Sequence, residues 1–297
     1  MWTKYKHIQD GVLVVDKPSG PTSHDIVKWI RKRLKTKTGH TGTLDPLASG
    51  VLPLTLGRAT RLTQFFQSKD KEYLAEFRLG KTTDTLDQEG KIITESVVPV
   101  ITPDQATTTL AQFTGKIRQQ VPLFSAVRVK GKRLYNLARQ NQQVSRPWRT
   151  VYVHSIQMKE QRSLIWKVLI HCSSGTYIRS LANDIGVVLK CGAYLHSLRR
   201  IRSGSFNLSR STGLDQIENN TSLAFFPMEE LLKEFPRLDL NLEQIKKVSH
   251  GTTITWNDSS GNDFVRLFYA GQLIAIGRER EDCKIHPIKV LKSAGSN

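Results

Sequence analysis

The feature that most constrains the fold is a stretch without secondary-structure periodicity that lies between two apolar runs. Residues 35–50, KTKTGHTGTLDPLASG, follow neither the helical period nor the alternation of a strand, and they are rich in Gly, Thr and Pro. This composition predicts a loop. The apolar runs GVLVVDK (11–17) and VLPLTL (51–56) are typical of buried strands. Such a loop can hold a side chain at a fixed angle at the edge of a sheet.

A helix is predicted between the first apolar run and this loop. Ile26, Val27, Ile30 and Leu34 recur at helical spacing, and Ser23 is of a residue type that caps helix N-termini. The first part of the chain therefore has the predicted order strand, helix, loop, strand.

Later segments continue this mixture of helices and strands. Apolar runs at 151–158 and 164–172 are typical of paired strands. The apolar spacing at 176–189 predicts a second amphipathic helix. The chain is therefore expected to contain both helices and strands.

A domain boundary is predicted near 228–236. Beyond it, two apolar runs around Ala270-Gly271-Gln272 predict a hairpin within a small β-rich module. We therefore divide the chain into a domain of residues 1–231 and a domain of residues 232–297.

Charge is the compositional property that says most about partners. The 297 residues include 44 Lys/Arg and 26 Asp/Glu, which gives a net charge of +18. Residues 101–200 contain 16 Lys/Arg and three Asp/Glu, whereas residues 232–297 contain ten and eight. An excess of positive charge in one segment favours a polyanion bound along one face of the protein. Charge that serves only solubility more often mixes both signs. The charge does not distinguish RNA from DNA as the partner. The candidate phosphate contacts are Arg128, Lys130, Lys132 and Arg133.

Membrane and secreted classes are not expected. The chain has no apolar run of about 18 residues or more, and its start, MWTKYKHIQD, lacks the apolar core of a signal peptide. The cysteines, Cys172, Cys191 and Cys283, lie far apart and form no CxxC pair. Neither a disulfide framework nor a zinc–thiolate site is therefore predicted. We expect a cytoplasmic protein with reduced thiols.

The loop between the apolar runs contains one carboxylate, Asp45. Pro46 fixes the backbone after it, and Gly42 and Gly50 permit conformations that other residues resist. Two interpretations are open from these residues alone. Asp45 either caps a turn, which is the usual role of Asp before Pro, or is a reactive carboxylate held at a set angle. No His/Asp/Ser set accompanies it at a spacing that favours hydrolysis.

Six segments resemble the sequence blocks of the TruB family of pseudouridine synthases, in the family's order. They extend over roughly residues 10–205, and GHTGTLDPLASG is the most specific of them. The segments are GVLVVDKPSGPTSHD (11–25), KTGHTGTLDPLASGVLPL (37–54), KEYLAEFRLGKTTDTLDQEG (71–90), VPLFSAVRVKGKRLYNLAR (121–139), HCSSGTYIRSLANDIG (171–186) and GAYLHSLRRIRSG (192–204).

The resemblance implies a fold and an activity. The fold is the α+β pseudouridine synthase fold, a mixed and largely antiparallel sheet flanked by helices, followed by a small PUA-like RNA-binding domain. The activity is isomerisation of the uridine at position 55 in the tRNA T loop, in which the uracil is detached, turned and rejoined through carbon. This reaction exchanges no hydride, phosphate or electron, so no cofactor and no metal are expected. The P-loop and dinucleotide motifs are also missing.

The resemblance also implies roles for individual residues. Asp45 matches the essential Asp, whose role is attack at the sugar, addition to the base, or removal of the C2′ proton. Arg179 matches the arginine that pairs with it, and Tyr73 matches the tyrosine expected to stack on the flipped uracil. The other residues implied at or near the substrate are His40 among the T-loop bases, Tyr177 and Leu198 around the uracil, and Lys17, which would support the loop or bind the substrate phosphates.

Two other functions remain open. A non-catalytic RNA-binding or RNA-chaperone protein on the same fold would need the basic charge but not Asp45. An RNA-guided synthase of the archaeal and eukaryotic type would act within a larger complex. The short N-terminus and compact C-terminal module favour the stand-alone bacterial form. We expect a monomer that binds the tRNA T stem-loop and requires no protein partner.

Overall fold

A computed structural model of the chain describes residues 10–129, 131–140, 144–219, 223–256, 261–280 and 283–291. Its strands are β1 (Gly11–Lys17), β2 (Thr38–His40), β3 (Ser49–Leu56), β4 (Lys71–Leu79), β5 (Lys81–Thr83), β6 (Ile92–Glu95), β7 (Gly115–Gln120), β8 (Arg128–Val129), β9 (Lys132–Arg133), β10 (Trp148–Gln161), β11 (Ile165–Cys172), β12 (Ala193–Ser203), β13 (Phe206–Asn207), β14 (Phe225–Pro227), β15 (Arg237–Asp239), β16 (Ile254–Thr255), β17 (Phe264–Tyr269), β18 (Gln272–Arg280) and β19 (Lys284–Val290). Its α-helices are α1 (Ser23–Leu34), α2 (Thr63–Gln67), α3 (Pro103–Ala111), α4 (Leu134–Arg139), α5 (Ile178–Val188), α6 (Leu214–Glu218) and α7 (Leu242–Ser249).

Two sheets dominate the fold. The larger has the strand order β14-β1-β3-β12-β4-β11-β10-β7, with β2 paired to β3 and β13 paired to β12. Its pairs are antiparallel except β3 with β12, which are parallel. The smaller sheet has the order β15-β17-β18-β19-β16. The α+β class, the mixed sheet and the small β-rich C-terminal part predicted from the sequence are confirmed.

One face of the main sheet carries the principal core. On β4, every second residue from Lys71 to Leu79 is buried and the residues between them are partly exposed, as expected for a strand with one covered face. Apolar residues of α1, α3 and α5 pack against this face. The opposite face of β4 stays open to solvent. Within the described ranges, no helix is both long and apolar enough to cross a membrane.

The start of α1 is tied to the loop that follows it. The side chain of Thr22 accepts from the backbone amide of Asp25, and the Asp25 side chain bonds back to Thr22. The prediction that Ser23 caps this helix is therefore wrong. Ser23 is turned inward, where its hydroxyl donates to the carbonyl of Leu44 and accepts from the Leu44 amide, each at 2.8 Å.

The predicted loop is shorter than residues 35–50. Thr38–His40 form β2 and pair with β3, so the prediction of a loop is wrong for these residues. At the other end, Gly50 has a φ of +103° and crosses close to β12, where a Cβ would lie 2.2 Å from the carbonyl oxygen of Arg200. Only glycine fits this parallel crossing. The loop of residues 41–48 is thus bounded by paired strands on both sides.

A second apolar core joins the two sheets. The ring of Phe65 lies 5.8 Å from Phe235 and 5.2 Å from Phe264, both in edge-to-face geometry. The buried members of this core from the first part of the chain are Val12, Val14, Val51, Ala59, Leu62, Phe65, Phe66 and Phe206. Those from its last part are Met228, Leu231, Leu232, Phe268, Leu273, Ile276 and Leu291.

We expect Phe65→Ala to lower the free energy of unfolding by about 3–5 kcal/mol, because it leaves a cavity between the two sheets. The measurement is urea denaturation followed by tryptophan fluorescence. The double variant with Phe264→Ala should lose less than the sum of the single variants, since the two rings contact each other. Fully additive losses would mean that the two sheets are not coupled through these rings.

Candidate active site

Most of the residues assigned to the site meet at one cavity. It has a volume of about 710 Å³ and lies where the loop of residues 41–48 faces β4 and β12. Those that line it are Asp45, Arg179, Tyr73, His40, Tyr177 and Leu198. This volume is within the usual range for ligand sites in proteins.

Arg179, near the start of α5, is almost completely buried in the cavity wall. Its Nε lies 3.1 Å from Oδ2 of Asp45. Its Nη1 and Nη2 donate to the carbonyl oxygens of Thr85 and Phe124, at 3.2 and 3.0 Å. A buried guanidinium is costly unless its donors are paired, so these contacts fix its position and that of the carboxylate beside it.

A second carboxylate, Asp87, faces the same guanidinium, with 3.4 Å between its Oδ2 and Nη1 of Arg179. Burial raises the pKa of Asp87, while the hydroxyl of Thr85 and the charge of Arg179 act in the opposite direction. The side chain of Asp87 is 5% exposed, whereas that of Asp45 is 37% exposed. Asp45 is therefore the carboxylate that a ligand in the cavity can reach.

Two tyrosines and a leucine form part of the cavity wall. Burial raises the pKa of both Tyr73 and Tyr177, so their hydroxyls are neutral near pH 7. Leu198 on β12 is buried and presents an apolar surface. Aromatic rings and an aliphatic side chain suit the faces of a planar base.

His40, at the end of β2, also lines the cavity. Burial lowers the pKa of His40, and the charges of Arg200 and His24 lower it further. The ring is therefore neutral near pH 7. Its buried Nδ1 has no hydrogen-bond partner among the residues that the structure describes.

Lys17 does not line the cavity, and of the two roles implied for it, support of the loop or contact with the substrate phosphates, only the first fits its position. It is fully buried, and its Nζ donates to the carbonyl oxygens of Pro18 and Ala48, at 2.8 and 2.7 Å. Burial lowers the pKa of Lys17 to about 8, although the charge of Asp45 acts in the opposite direction. The side chain supports the back of the loop and cannot reach a phosphate.

Arg200, on β12, supports the same loop from the other side. It is 1% exposed. Its guanidinium donates to the carbonyl oxygens of Val51 and Gly42, at 2.7 and 3.1 Å. The loop that carries Asp45 is therefore held by two buried cations, Lys17 and Arg200, through its backbone oxygens.

The candidate phosphate contacts lie at a groove that is separate from the cavity around Asp45. Arg128, Lys132 and Arg133 are exposed on the β8–β9 hairpin, and together with Arg139 they line a hollow of about 630 Å³. Lys130, predicted as a phosphate contact with them, lies outside the described residues. A hollow bordered by several cations suits the backbone of a nucleic acid.

Two family models match the chain. One is described as the N-terminal domain of TruB family pseudouridylate synthases and matches residues 30–178; the other is described as the tRNA pseudouridylate synthase B C-terminal domain and matches residues 179–235. The chain belongs to the TruB family.

Relatives of this TruB-family chain match it over most of its length. The tRNA pseudouridine synthase B of Carboxydothermus hydrogenoformans is 42% identical over 276 residues, which are 90% of this chain and 94% of that protein. The protein of the same name from Dehalococcoides mccartyi is 40% identical and covers 95% of this chain and 96% of its own length.

Two solved structures with a similar fold are those of chains in larger assemblies. A chain in the crystal structure of a Cbf5-Nop10-Gar1 complex has a TM-score of 0.72 and 29% identity, and covers 97% of this chain and 87% of its own. A chain in the structure of an H/ACA RNP bound to a substrate RNA containing 2′-deoxyuridine has the same TM-score and 27% identity, with the same coverage. The similarity therefore extends over both sheets.

Sequence reasoning missed Asp87 and Arg200. Asp87 stands in TTDTLDQEG beside Asp84, and no pattern distinguishes the buried acid from the exposed one. Arg200 stands in LRRIR, where three arginines within four residues indicate a solvated surface. Both positions are determined by tertiary packing, so neither could be found without the structure.

We expect Arg200→Met to lower the free energy of unfolding by at least about 2 kcal/mol, because it leaves buried loop carbonyls without donors. Turnover should fall more than substrate affinity, since the loop that carries Asp45 loses an anchor. Urea denaturation and single-turnover kinetics measure the two effects.

The matched control is Arg199→Met, the preceding residue on the open face of the sheet. Arg199 is 39% exposed and pairs with Asp16 at 2.8 Å, so its loss should cost less than about 1 kcal/mol. Equal destabilisation by the two variants would contradict the anchoring role of Arg200.

Proposed function

We propose that this chain isomerises the uridine at position 55 in the T loop of tRNA to pseudouridine, with Asp45 as the catalytic carboxylate. The observation that carries the proposal is the 3.1 Å ion pair between Asp45 and the buried Arg179, in a cavity large enough for a nucleoside. The two relatives described above are both named tRNA pseudouridine synthase B, which supports tRNA as the substrate.

The reaction needs an ionised carboxylate at the sugar and base of one nucleotide. The guanidinium of Arg179 lies 3.1 Å from the carboxylate of Asp45 and holds it in position as an ion pair. Attack at the sugar, addition to the base and removal of the C2′ proton are all within the chemistry of such a carboxylate. The exposed part of Asp45 faces the cavity, so each of these steps has access to a bound uridine.

The cavity residues bind and orient the uracil in this proposal. Tyr73 stacks on the base, and its neutral hydroxyl can donate a hydrogen bond. Tyr177 and Leu198 enclose the base, which must turn within the cavity before it is rejoined through carbon. Such a closed space keeps the detached uracil beside its sugar.

The uridine must leave its stack to enter the cavity. Extrusion of a base costs about a few kcal/mol, and this cost is lower for an unpaired loop than for a duplex. A T loop is therefore a suitable substrate. His40, which lines the cavity, is assigned to the neighbouring loop bases, and the groove at Arg128, Lys132 and Arg133 is assigned to RNA phosphates.

The stand-alone form is favoured over an RNA-guided one. The matched relatives named for tRNA modification are 40–42% identical, whereas the matched chains from the complexes with Nop10 and other components are 27–29% identical. We assign the chain to the cytoplasm as a monomer, with residues 1–231 as the catalytic domain and 232–297 as a PUA-like RNA-binding domain. A non-catalytic RNA chaperone is the alternative, and it does not require the Asp45–Arg179 pair.

We expect Asp45→Asn to fold and to bind tRNA but to form no detectable pseudouridine. Asparagine has nearly the same size and can keep a turn hydrogen bond, but its amide is neither a competent nucleophile nor a base. The assay is single-turnover conversion of T-loop RNA at saturating enzyme, with binding measured by filter retention. The matched control is Asp104→Asn, the same change at an exposed acid in the first turn of α3.

Arg179→Ala should reduce turnover strongly alone and add almost nothing to Asp45→Asn, because the arginine acts through the carboxylate. Near-normal conversion by a folded Asp45→Asn protein would refute the proposed catalytic role and favour the chaperone alternative.

We expect tRNA affinity to fall steeply with salt, and the double change Lys132→Gln/Arg133→Gln to flatten this dependence. Each lost phosphate contact should reduce the slope of log affinity against log salt by about 0.7–0.9. The control is Lys159→Gln/Arg162→Gln, at the far end of the β10–β11 hairpin. Equal slopes for the parent and the Lys132/Arg133 variant would place the RNA on another face.

A further inference from the structure

A group of potential metal ligands lies outside the cavity, on the open face of the main sheet. Asp70 immediately precedes β4, His154 belongs to β10, and His171 lies near the end of β11. One ligand atom from each residue lies within 4.8 Å of the other two. All three side chains are partly exposed, so an ion in solution can reach them.

The distances within this group suit a tetrahedral ion. Oδ2 of Asp70 lies 3.0 Å from Nε2 of His154 and 3.7 Å from Nε2 of His171. Nitrogen and oxygen ligands at about 2.0–2.1 Å from Zn²⁺ are roughly 3.3 Å apart at the tetrahedral angle. The two observed distances lie on either side of this value, and the ligand atoms of the two histidines lie within 4.8 Å of each other, so side-chain movements alone bring the three ligands to the spacing that an ion requires.

The backbone directs His154 toward this group. Strand β10 pairs with β11 through Val153 and Ser155, and the register shift between them makes His154 the extra residue of a β-bulge. A bulge re-aims a side chain relative to regular strand alternation. As a result, the rings of His154 and His171 lie 4.3 Å apart.

Arg202 is the cation that competes with a metal at this position. Its Nη2 lies 3.0 Å from Nε2 of His171, but it also donates to Glu72 at 2.7 Å, and Nη1 donates to the carbonyl of Gly204 at 3.1 Å. An ion that takes over Nε2 of His171 leaves Arg202 its other two partners. The positive charge of Arg202 nevertheless weakens cation binding.

We propose that Asp70, His154 and His171 form a structural site for a divalent transition-metal ion of the Zn²⁺ class, with a fourth position for water. Two imidazoles and one carboxylate match the preferences of Zn²⁺ and similar ions rather than those of Mg²⁺ or Ca²⁺. The ion joins β10 and β11 to the residue that precedes β4, next to Lys71, which lines the cavity. It takes no part in the uridine chemistry, and the proposal is independent of the proposed function.

The test measures metal binding to the tag-free chain carrying Cys283→Ser, because Cys283 is an exposed thiol that could bind metal by itself. After treatment with a chelator, the protein is titrated with Co²⁺, whose visible absorption reports coordination, and Zn²⁺ is then used to displace it. We expect one equivalent of either ion and a higher Tm in the presence of Zn²⁺.

Three variants and one control decide the outcome. Asp70→Asn and His154→Gln should each weaken binding by about tenfold or more, and Arg202→Gln should strengthen it. His250→Gln, at an exposed histidine after α7, should leave it unchanged. Circular dichroism of each metal-free variant checks its fold. Absence of saturable binding in the parent, or equal affinity in the parent and Asp70→Asn, would overturn the proposal.

Discussion

The guanidinium of Arg179 joins three parts of the chain that are distant in sequence. It contacts Asp45 in the loop before β3, the turn that contains Thr85 and Asp87, and Phe124 after β7. A cation with this burial is stable only because carboxylates and carbonyl oxygens surround it. The same contacts that satisfy the arginine set the direction of the Asp45 carboxylate. The geometry of the cavity therefore follows from the need to pair one buried charge.

The loop that carries Asp45 is held from inside the protein rather than by its own secondary structure. Ser23 bonds both backbone groups of Leu44, Lys17 donates to the carbonyl of Ala48, and Arg200 donates to those of Gly42 and Val51. A loop has many unpaired backbone groups, and burial of those groups requires donors from elsewhere. Side chains with several N–H groups satisfy more than one carbonyl each. The result is an irregular segment that is anchored at several points along its backbone.

Periodicity predicted the elements whose environment is uniform along their length. Strand β4 alternates because one face is covered, and α5 shows helical spacing because it packs on that face. The central strand β12 has no such signal, since LRRIR places a buried arginine among exposed ones. The candidate site was predicted through family resemblance, because an isolated Asp before Pro is equally compatible with a turn. Nothing in the local sequence indicates that Asp87 and Lys17 are buried, because burial is a property of the folded chain.

The parallel contact between β3 and β12 has a consequence for the order in which the protein can assemble. Val51 and Arg200 are hydrogen-bonded although 149 residues separate them, and β1 pairs with β14 near residue 227. Contacts of such long range close slowly, and during translation they cannot form before the later strand has left the ribosome. A nascent chain shorter than about 200 residues therefore carries the aspartate without Arg200. In such a chain Ser49 and Gly50 of β3 lack their partners on β12, although Leu54, Thr55 and Leu56 of the same strand can already pair with β2.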